Sequence, residues 1–408
     1  MMTTVYLCWA IALGTTLFVL YPFTVYPLLL WIVAKVRPRP WLKKECTPHL
    51  SIIIAAHNAK EHIHDKILNT LQFKYPENLR EIIVVSDGST DNTEEIVASF
   101  SPRVKLVRSH GRRGKQIALN KAIAASSGEV LILTDVGALF DEETLEKLTR
   151  HFADPKIGAV SSALQTCKRL PKEAAATGHG EGEYLGIDFM IRRLEGKVAS
   201  LTGCSGPLYA VRRECFIPFE ASVCNDFMSA LDVVKTGYRC ILENEVIGYT
   251  HSDSTNLGEF WRKVRTITGG MDTLWKSRAF LSGFGQPLFW WEIMSHKVVR
   301  WLAPIAAFVG LSACVVGAMQ GDTILEGIAV TGIFAIGTGL LGVTVPTLGR
   351  SVVPVRILTF AFISAVAGIY AWREFLSGRK YTHWRPTRRR TVYTYNPRAA
   401  AHRPTYRR

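Results

Sequence analysis

Charged side chains at a few places along the sequence could do chemistry. Asp87 closes an apolar run in VVSDGSTDNT, where a carboxylate at a strand end can accept the imide N–H of a uracil; an Asp-Gly dipeptide also makes an ordinary turn. Residues 111–115, GRRGK, lead into a stretch of helical periodicity. Glycine amides and cations at a helix start suit a phosphate or ribose, and an exposed basic turn reads the same way. Arg262 and Arg265 in WRKVR fall on one helix face, able to clamp a phosphate bidentately or to lie on anionic lipid. Asp135 ends the apolar run VLILT, and Asp226 in CNDF begins a helix-like stretch where an N-cap would also place an Asp.

These residues need a scaffold, and residues 51–89 supply it. The run at 51–56 is short, apolar and Ile-rich and stops at His57-Asn58; Ile63, Ile67, Leu68 and Leu71 then recur at helical spacing, and residues 81–86 give a second apolar run. Neither run alternates, as expected for a parallel sheet covered by helices on both faces. In such sheets ligands bind beyond the carboxyl ends of the strands, which places Ala56, His57, Asn58 and Asp87 at the ligand. Further strands are expected at 104–108 and 130–134, and further helices at 117–125, 179–195 and 226–234, with a basic helix starting at 260–270.

Composition narrows the class. The 408 residues can bury a large core, and a hydrophobic share of 48% sends some apolar residues to lipid. A net charge of +15 fits nucleic acid, anionic lipid or nucleotide phosphates, but the basic residues cluster beside apolar segments and in the C-terminal tail, without an aromatic-interleaved nucleic-acid module. Membrane lipid and a nucleotide are therefore the expected partners, and nucleic acid is not. The 8 cysteines, including Cys167, have no CxxC pair or regular spacing, which reads as reduced thiols and not as zinc ligands or disulfides. His57, His62 and His64 lack companions of ligand type and read as a solvated loop and helix face.

Residues 5–34 are almost uninterrupted apolar sequence without a cleavage site, an expected anchor that Pro22 and Pro27 can kink or make re-entrant. Lys35, Arg37, Arg39, Lys43 and Lys44 follow, and positive charge marks the cytoplasmic side. Residues 279–291 are aromatic and rich in Gly and Pro, as at an interface; long apolar runs follow at 298–319, 327–348 and 353–375. Three spans after a cytoplasmic domain would leave the Arg-rich tail outside. Either one apolar segment is re-entrant, or 279–291 enters the membrane, or the tail breaks the rule; an inside tail on anionic lipid is expected. The expected divisions are an anchor at 1–36, a cytosolic domain at 48–272, an interfacial segment at 273–297, membrane helices at 298–376 and a basic tail at 377–408.

AAHN with VVSDGSTDNT, followed by LTDVGALF, CNDF and WRKVRTITGG, resembles the membrane-bound branch of the family 2 glycosyltransferases with a GT-A fold. The resemblance implies a Rossmann-like, mostly parallel α/β sheet with flanking helices plus α-helical transmembrane segments. It implies a nucleotide-sugar donor held by Ala56, His57, Asn58, Asp87, Lys115, Asp135, Arg262 and Arg265. It makes Asp135 the ligand of a Mg2+ or Mn2+ ion bridging the donor phosphates, and Asp226 the base that takes the proton of the acceptor hydroxyl. A small-residue loop with Gly203, Ser205 and Gly206 stands on the acceptor side. The implied activity is an inverting transfer, from a UDP-linked donor, to a polysaccharide or lipid-linked saccharide at the cell membrane. A non-processive transferase acting on a lipid carrier, or an inert membrane scaffold of the same fold, are the alternatives. Two departures stand out: Asp135-Val136-Gly137 lacks the second carboxylate of the family's DxD motif, and WRKVR replaces the QxxRW of processive synthases.

Overall fold

The computed structural model describes residues 2–163, 176–246, 248–250, 256–278 and 285–382. Cys167, the start of the 279–291 segment and the tail beyond residue 382 lie outside the described residues. The N-terminal apolar run forms α1 (Met2–Leu20) and α2 (Val25–Val36), separated by a 3-10 turn at Tyr21–Phe23. Pro22 causes the break, since proline lacks an N–H and clashes with the preceding turn.

An α/β domain follows: β1 (Leu50–Ala56), α3 (Ile63–Leu71), β2 (Arg80–Ser86), α4 (Thr93–Ala98), β3 (Lys105–Arg108), α5 (Lys115–Ala124), β4 (Val130–Asp135), β5 (Ala138–Phe140), α6 (Thr144–Thr149) and β6 (Ile157–Ser162). It continues through α7 (Ala176–Val198), β7 (Leu208–Arg212), α8 (Asn225–Lys235), β8 (Arg239–Glu243), β9 (Gly248–Thr250) and α9 (Asn256–Lys276). The main sheet has the order β3-β2-β1-β4-β7-β6-β8; β1 pairs in parallel with β2 and β4, and β7 runs antiparallel. β1 is buried on both faces. Ile52 and Ile54 pack with Ile63 and Ile67 of α3, while Ile53 and Ala55 pack with Ala118 and Leu119 of α5, which is why its sequence does not alternate. The paired ends of β1, β2 and β4 bring Ala56, Ser86 and Asp135 to one edge.

The rest is helical: α10 (Pro287–Ile293), a π-helical turn at Met294–Val298, α11 (Val299–Met319), α12 (Thr323–Thr344), α13 (Pro346–Ser351) and α14 (Val353–Leu376). Among the described residues four segments are long and apolar enough to cross a membrane: Met2–Phe23, Pro287–Met319, Thr323–Thr344 and Val353–Leu376. α1 and α11 run antiparallel, with Thr15 against Gly310 and Cys8 against Gly317. α12 returns beside α11, with Leu325 against Gly317 and Gly332 against Leu311.

α14 does not continue this up-and-down pattern. Near its start, Val355 and Thr359 meet Gly342 at the end of α12. Near its end, Gly368 meets Pro304, and Trp372 Nε1 donates to the Trp301 carbonyl (2.8 Å), at the beginning of α11. Both halves of α14 therefore lie at the level where α11 begins and α12 ends. Along that course it packs on α7 and α9 of the α/β domain, with Phe260 and Trp261 against Tyr370. Length and apolarity suffice for a span, yet both halves of this helix pack at that one level and against the sheet domain.

Candidate active site

The loop after β2 is built by its own carboxylate. Asp87 Oδ1 accepts from the Arg113 N–H (2.8 Å) and Oδ2 from the Gly114 N–H (2.9 Å), so the aspartate that the sequence assigns to a base also shapes the GRRGK loop. Each oxygen keeps a second lone pair. The Asp87 N–H donates to the Ala56 carbonyl (2.9 Å), and its own carbonyl lies 2.7 Å from His57 Nδ1. Asn58 takes a positive φ of 47° and accepts from the Thr90 N–H (2.8 Å), stapling the two loops together. Ala56, His57, Asn58 and Asp87 thus form one pocket edge.

Gly88 and Gly114 are required by geometry. At φ +64° a Cβ on Gly88 would stand 2.7 Å from the Gly111 carbonyl carbon. At φ +94° one on Gly114 would collide with the carbonyl of Thr382, which the chain after α14 carries to the mouth of the loop. A Gly114→Ala substitution is expected to weaken nucleotide binding about tenfold, because roughly 1–3 kcal/mol of backbone strain falls on amides that Asp87 holds. Titration of the purified protein with nucleoside diphosphate measures it, and unchanged affinity would remove this loop from the site.

Lys115 opens α5 and its Nζ lies 2.7 Å from Asp135 Oδ1, so two residues assigned to the donor meet each other. The strand end that bears Asp135 is gripped from behind by Lys66. That fully buried ammonium donates to Thr134 Oγ1 (2.8 Å) and to the Ala138 carbonyl (2.7 Å), and burial pulls it down to about 7 against the opposing charge of Asp135. Asn69, one turn along α3, pairs with both backbone groups of Phe140. Sequence reasoning missed Lys66; its only signal was a lysine beside apolar Ile63 and Ile67.

Asp226 is the second residue of α8, and Cys224 is the cap, so the carboxylate is not committed to N-capping. Its Oδ1 accepts only the neighbouring Phe227 N–H (2.9 Å), and Oδ2 stands 3.2 Å from the position of a Cβ on Gly206. The Asp226 carbonyl accepts the Cys204 N–H (3.1 Å), and the Ser205 N–H is held by Ser161 Oγ (2.8 Å). Arg192 Nη2 donates to the Gly203 carbonyl (2.9 Å). Gly203, Ser205 and Gly206 therefore border the carboxylate, with Arg192 as an unforeseen support.

The two arginines of WRKVR separate. They lie in the interior of α9 and not at its start, because the helix already begins at Asn256. Arg262 makes a bidentate pair with Glu259 (2.7 and 2.8 Å), one turn earlier on the same helix. Arg265 precedes Thr266, whose carbonyl lies 4.0 Å from the Cys224 thiol at the start of α8, and burial pulls the Arg265 guanidinium down. Burial pushes the Cys224 thiol up to about 12, and Gln116 Nε2 in the first turn of α5 donates to the Val223 carbonyl (2.7 Å), so α5, α8 and α9 meet here.

Among the described residues no three His, Cys, Asp or Glu side chains converge as a metal site. Asp135 alone still fits a hard divalent cation, since Mg2+ and ions like it commonly take one or two carboxylates and complete their shell with water and substrate phosphate.

Comparison with known proteins bears on the fold that carries this site. Residues 51–216 match the model described as Glycosyl transferase family 2. That stretch is thus similar to a family 2 glycosyltransferase domain. Poly-beta-1,6-N-acetyl-D-glucosamine synthase of Staphylococcus epidermidis is 30% identical over 161 residues, 38% of this chain and 38% of that protein. The protein of that name from Staphylococcus aureus (strain COL) is 25% identical over 234 residues, 55% of each. The chain thus spans 38% and 55% of the length of these two relatives. A solved structure, mannosyltransferase PcManGT from Pyrobaculum calidifontis in complex with GDP-Man and Mn2+, superposes with a TM-score of 0.70 at 23% identity, covering 91% of this chain and 100% of that one. The fold of the domain is GT-A, as its motifs implied.

Proposed function

We propose that this chain is an inverting glycosyltransferase that moves a sugar from a nucleoside-diphosphate donor, UDP-linked, to a saccharide acceptor at the membrane. The observation that carries this reading is that α5 and α9, which bear Lys115 and Arg265, both meet the chain at the start of α8, which bears the uncommitted carboxylate Asp226. The base and ribose rest on Ala56, His57, Asn58 and Asp87. Lys115 and Arg265 take the diphosphate; Lys115 exchanges part of its pairing with Asp135 for phosphate oxygens. Arg262 serves mainly by holding Glu259. A divalent cation, Mg2+ or Mn2+, bound through Asp135 would supply charge neutralisation to the leaving diphosphate. Asp226 takes the proton of the acceptor hydroxyl as it attacks the anomeric carbon, and a single displacement with no covalent intermediate inverts that centre. Gly203, Ser205 and Gly206 admit the acceptor close to the backbone.

The test is release of nucleoside diphosphate by the detergent-purified chain over a panel of UDP- and GDP-sugars with Mn2+ or Mg2+, membrane lipids and oligosaccharides being added as acceptors. Turnover of one donor supports the reading. Turnover of none sinks it and favours the inert scaffold.

In the same reading α1, α11 and α12 span the membrane and α14 lies along its inner face. The packing of both halves of α14 at one level supports this, since it removes the parity conflict and returns Arg379 and Lys380 to the side of Lys35 and Arg37. A cysteine introduced at Gln320 should react with an impermeant thiol reagent added outside intact cells, and one at Arg379 should not. Labelling at both would require α14 to span.

A further inference from the structure

Lys297 is a cation that the reaction above leaves unused. It sits on the π-helical turn Met294–Val298, a feature that interrupts a helix and redirects its side chains, commonly at functional sites. Its Nζ stands 3.6 Å from the position of a Cβ on Gly203 and 5.5 Å over the ring of Phe227, the residue after Asp226. The nearby acids are already matched. Asp188 accepts from Arg300 (2.8 Å) and lies 3.0 Å from His296 Nε2, while Glu195 accepts from Tyr26 (2.8 Å) and lies 2.6 Å from His296 Nδ1. Among the described residues Lys297 has no hydrogen-bonded partner and no ion pair within 4.0 Å; it lies over the Phe227 ring, and the charges of Asp188 and Glu195 reach it from farther off.

A cation kept from full solvation without a partner is costly, and an arriving anion relieves that cost. The place of Lys297 says where that anion comes from. α11 begins two residues later, which in the reading above puts this edge of the acceptor loop near the membrane surface. We propose that Lys297 binds the phosphate of an acceptor saccharide that is joined to its lipid through phosphate, placing the sugar hydroxyl at Asp226. This rests on the transferase reading and names its acceptor class.

The experiment uses the full chain in detergent with the donor it turns over. Three acceptors carry the same terminal sugar: a phosphate-linked lipid saccharide, a neutral glycolipid and a soluble sugar 1-phosphate. For Lys297→Met, KM for the phosphate-linked lipid should rise at least tenfold with kcat changed less than threefold, and KM for the neutral glycolipid should not move. Lys297→Arg should restore most of the loss, and the Kd for nucleoside diphosphate should stay at the parent value, which excludes misfolding. An equal rise for the soluble sugar phosphate would support phosphate recognition without a lipid contribution. Equal effects on charged and neutral acceptors, or no effect on either, would overturn the inference. If the unaltered chain transfers to no acceptor, it is the transferase reading that fails.

Discussion

Asp226→Asn should lower turnover by about 100- to 10,000-fold, the range that general-base catalysis contributes, while the nucleoside diphosphate still binds. The amide is nearly isosteric with the carboxylate, and its oxygen can still accept the Phe227 N–H that Asp226 Oδ1 accepts at 2.9 Å. The backbone link from Cys204 N–H to the Asp226 carbonyl does not involve the side chain. Fold and acceptor loop therefore survive, and what disappears is the carboxylate beside Gly206 that takes the proton. Single-turnover measurement separates this chemical step from binding. Activity retained within tenfold would mean that Asp226 positions the helix and that the base lies elsewhere; loss of nucleotide affinity in parallel would mean a structural role.

The part of the site that was legible in sequence is the part made by local order. β1, α3 and β2 could be read because buried strands write continuous apolar runs and α3 writes a helical period; the loops at their carboxyl ends then followed from the topology of a parallel sheet. What sequence could not show were side-chain choices made between alternatives. Arg262 and Arg265 share a motif, but Glu259 lies one turn before Arg262 and captures it, leaving Arg265 for the site. Lys66 and Lys297 come from stretches read as helix face and interface, and only tertiary contact brings them to Asp135 and Gly203. α14 is ambiguous for a related reason. Its apolar length satisfies a bilayer and equally satisfies α7, α9 and α12, and nothing local decides which.

The loop proposed for the acceptor is also the place where the long apolar helices are tied to the GT-A domain, and Glu195 is the knot. Its Oε1 lies 2.8 Å from the Tyr26 hydroxyl of α2 and 2.6 Å from His296 before α11, and Oε2 accepts from Thr202 at the start of the loop (3.3 Å). Burial alone would push the carboxyl up; the charge and hydrogen bond of His296, with the Tyr26 hydroxyl, outweigh it and hold Glu195 below its ordinary range. Asp188 is treated alike by burial, His296 and Arg300, and ends well below the carboxylate range. Carboxylates depressed in the folded state stabilise it above their unfolded values and lose that contribution as pH falls through the folded ones. Melting temperature in detergent should thus be level from pH 7 to about 5 and fall below about 4.5, the unfolded glutamate range. Glu195→Ala leaves His296 and Lys297 facing a buried gap and should cost about 3–5 kcal/mol at pH 7, roughly 6–20 °C in Tm. Its acid limb should flatten, because the group that titrates has gone. Glu195→Gln keeps the Tyr26 and Thr202 contacts and should cost less. Were Glu195→Ala to melt like the parent, the network would not join membrane to domain, and the acceptor loop would owe its position to Arg192 and Ser161 alone.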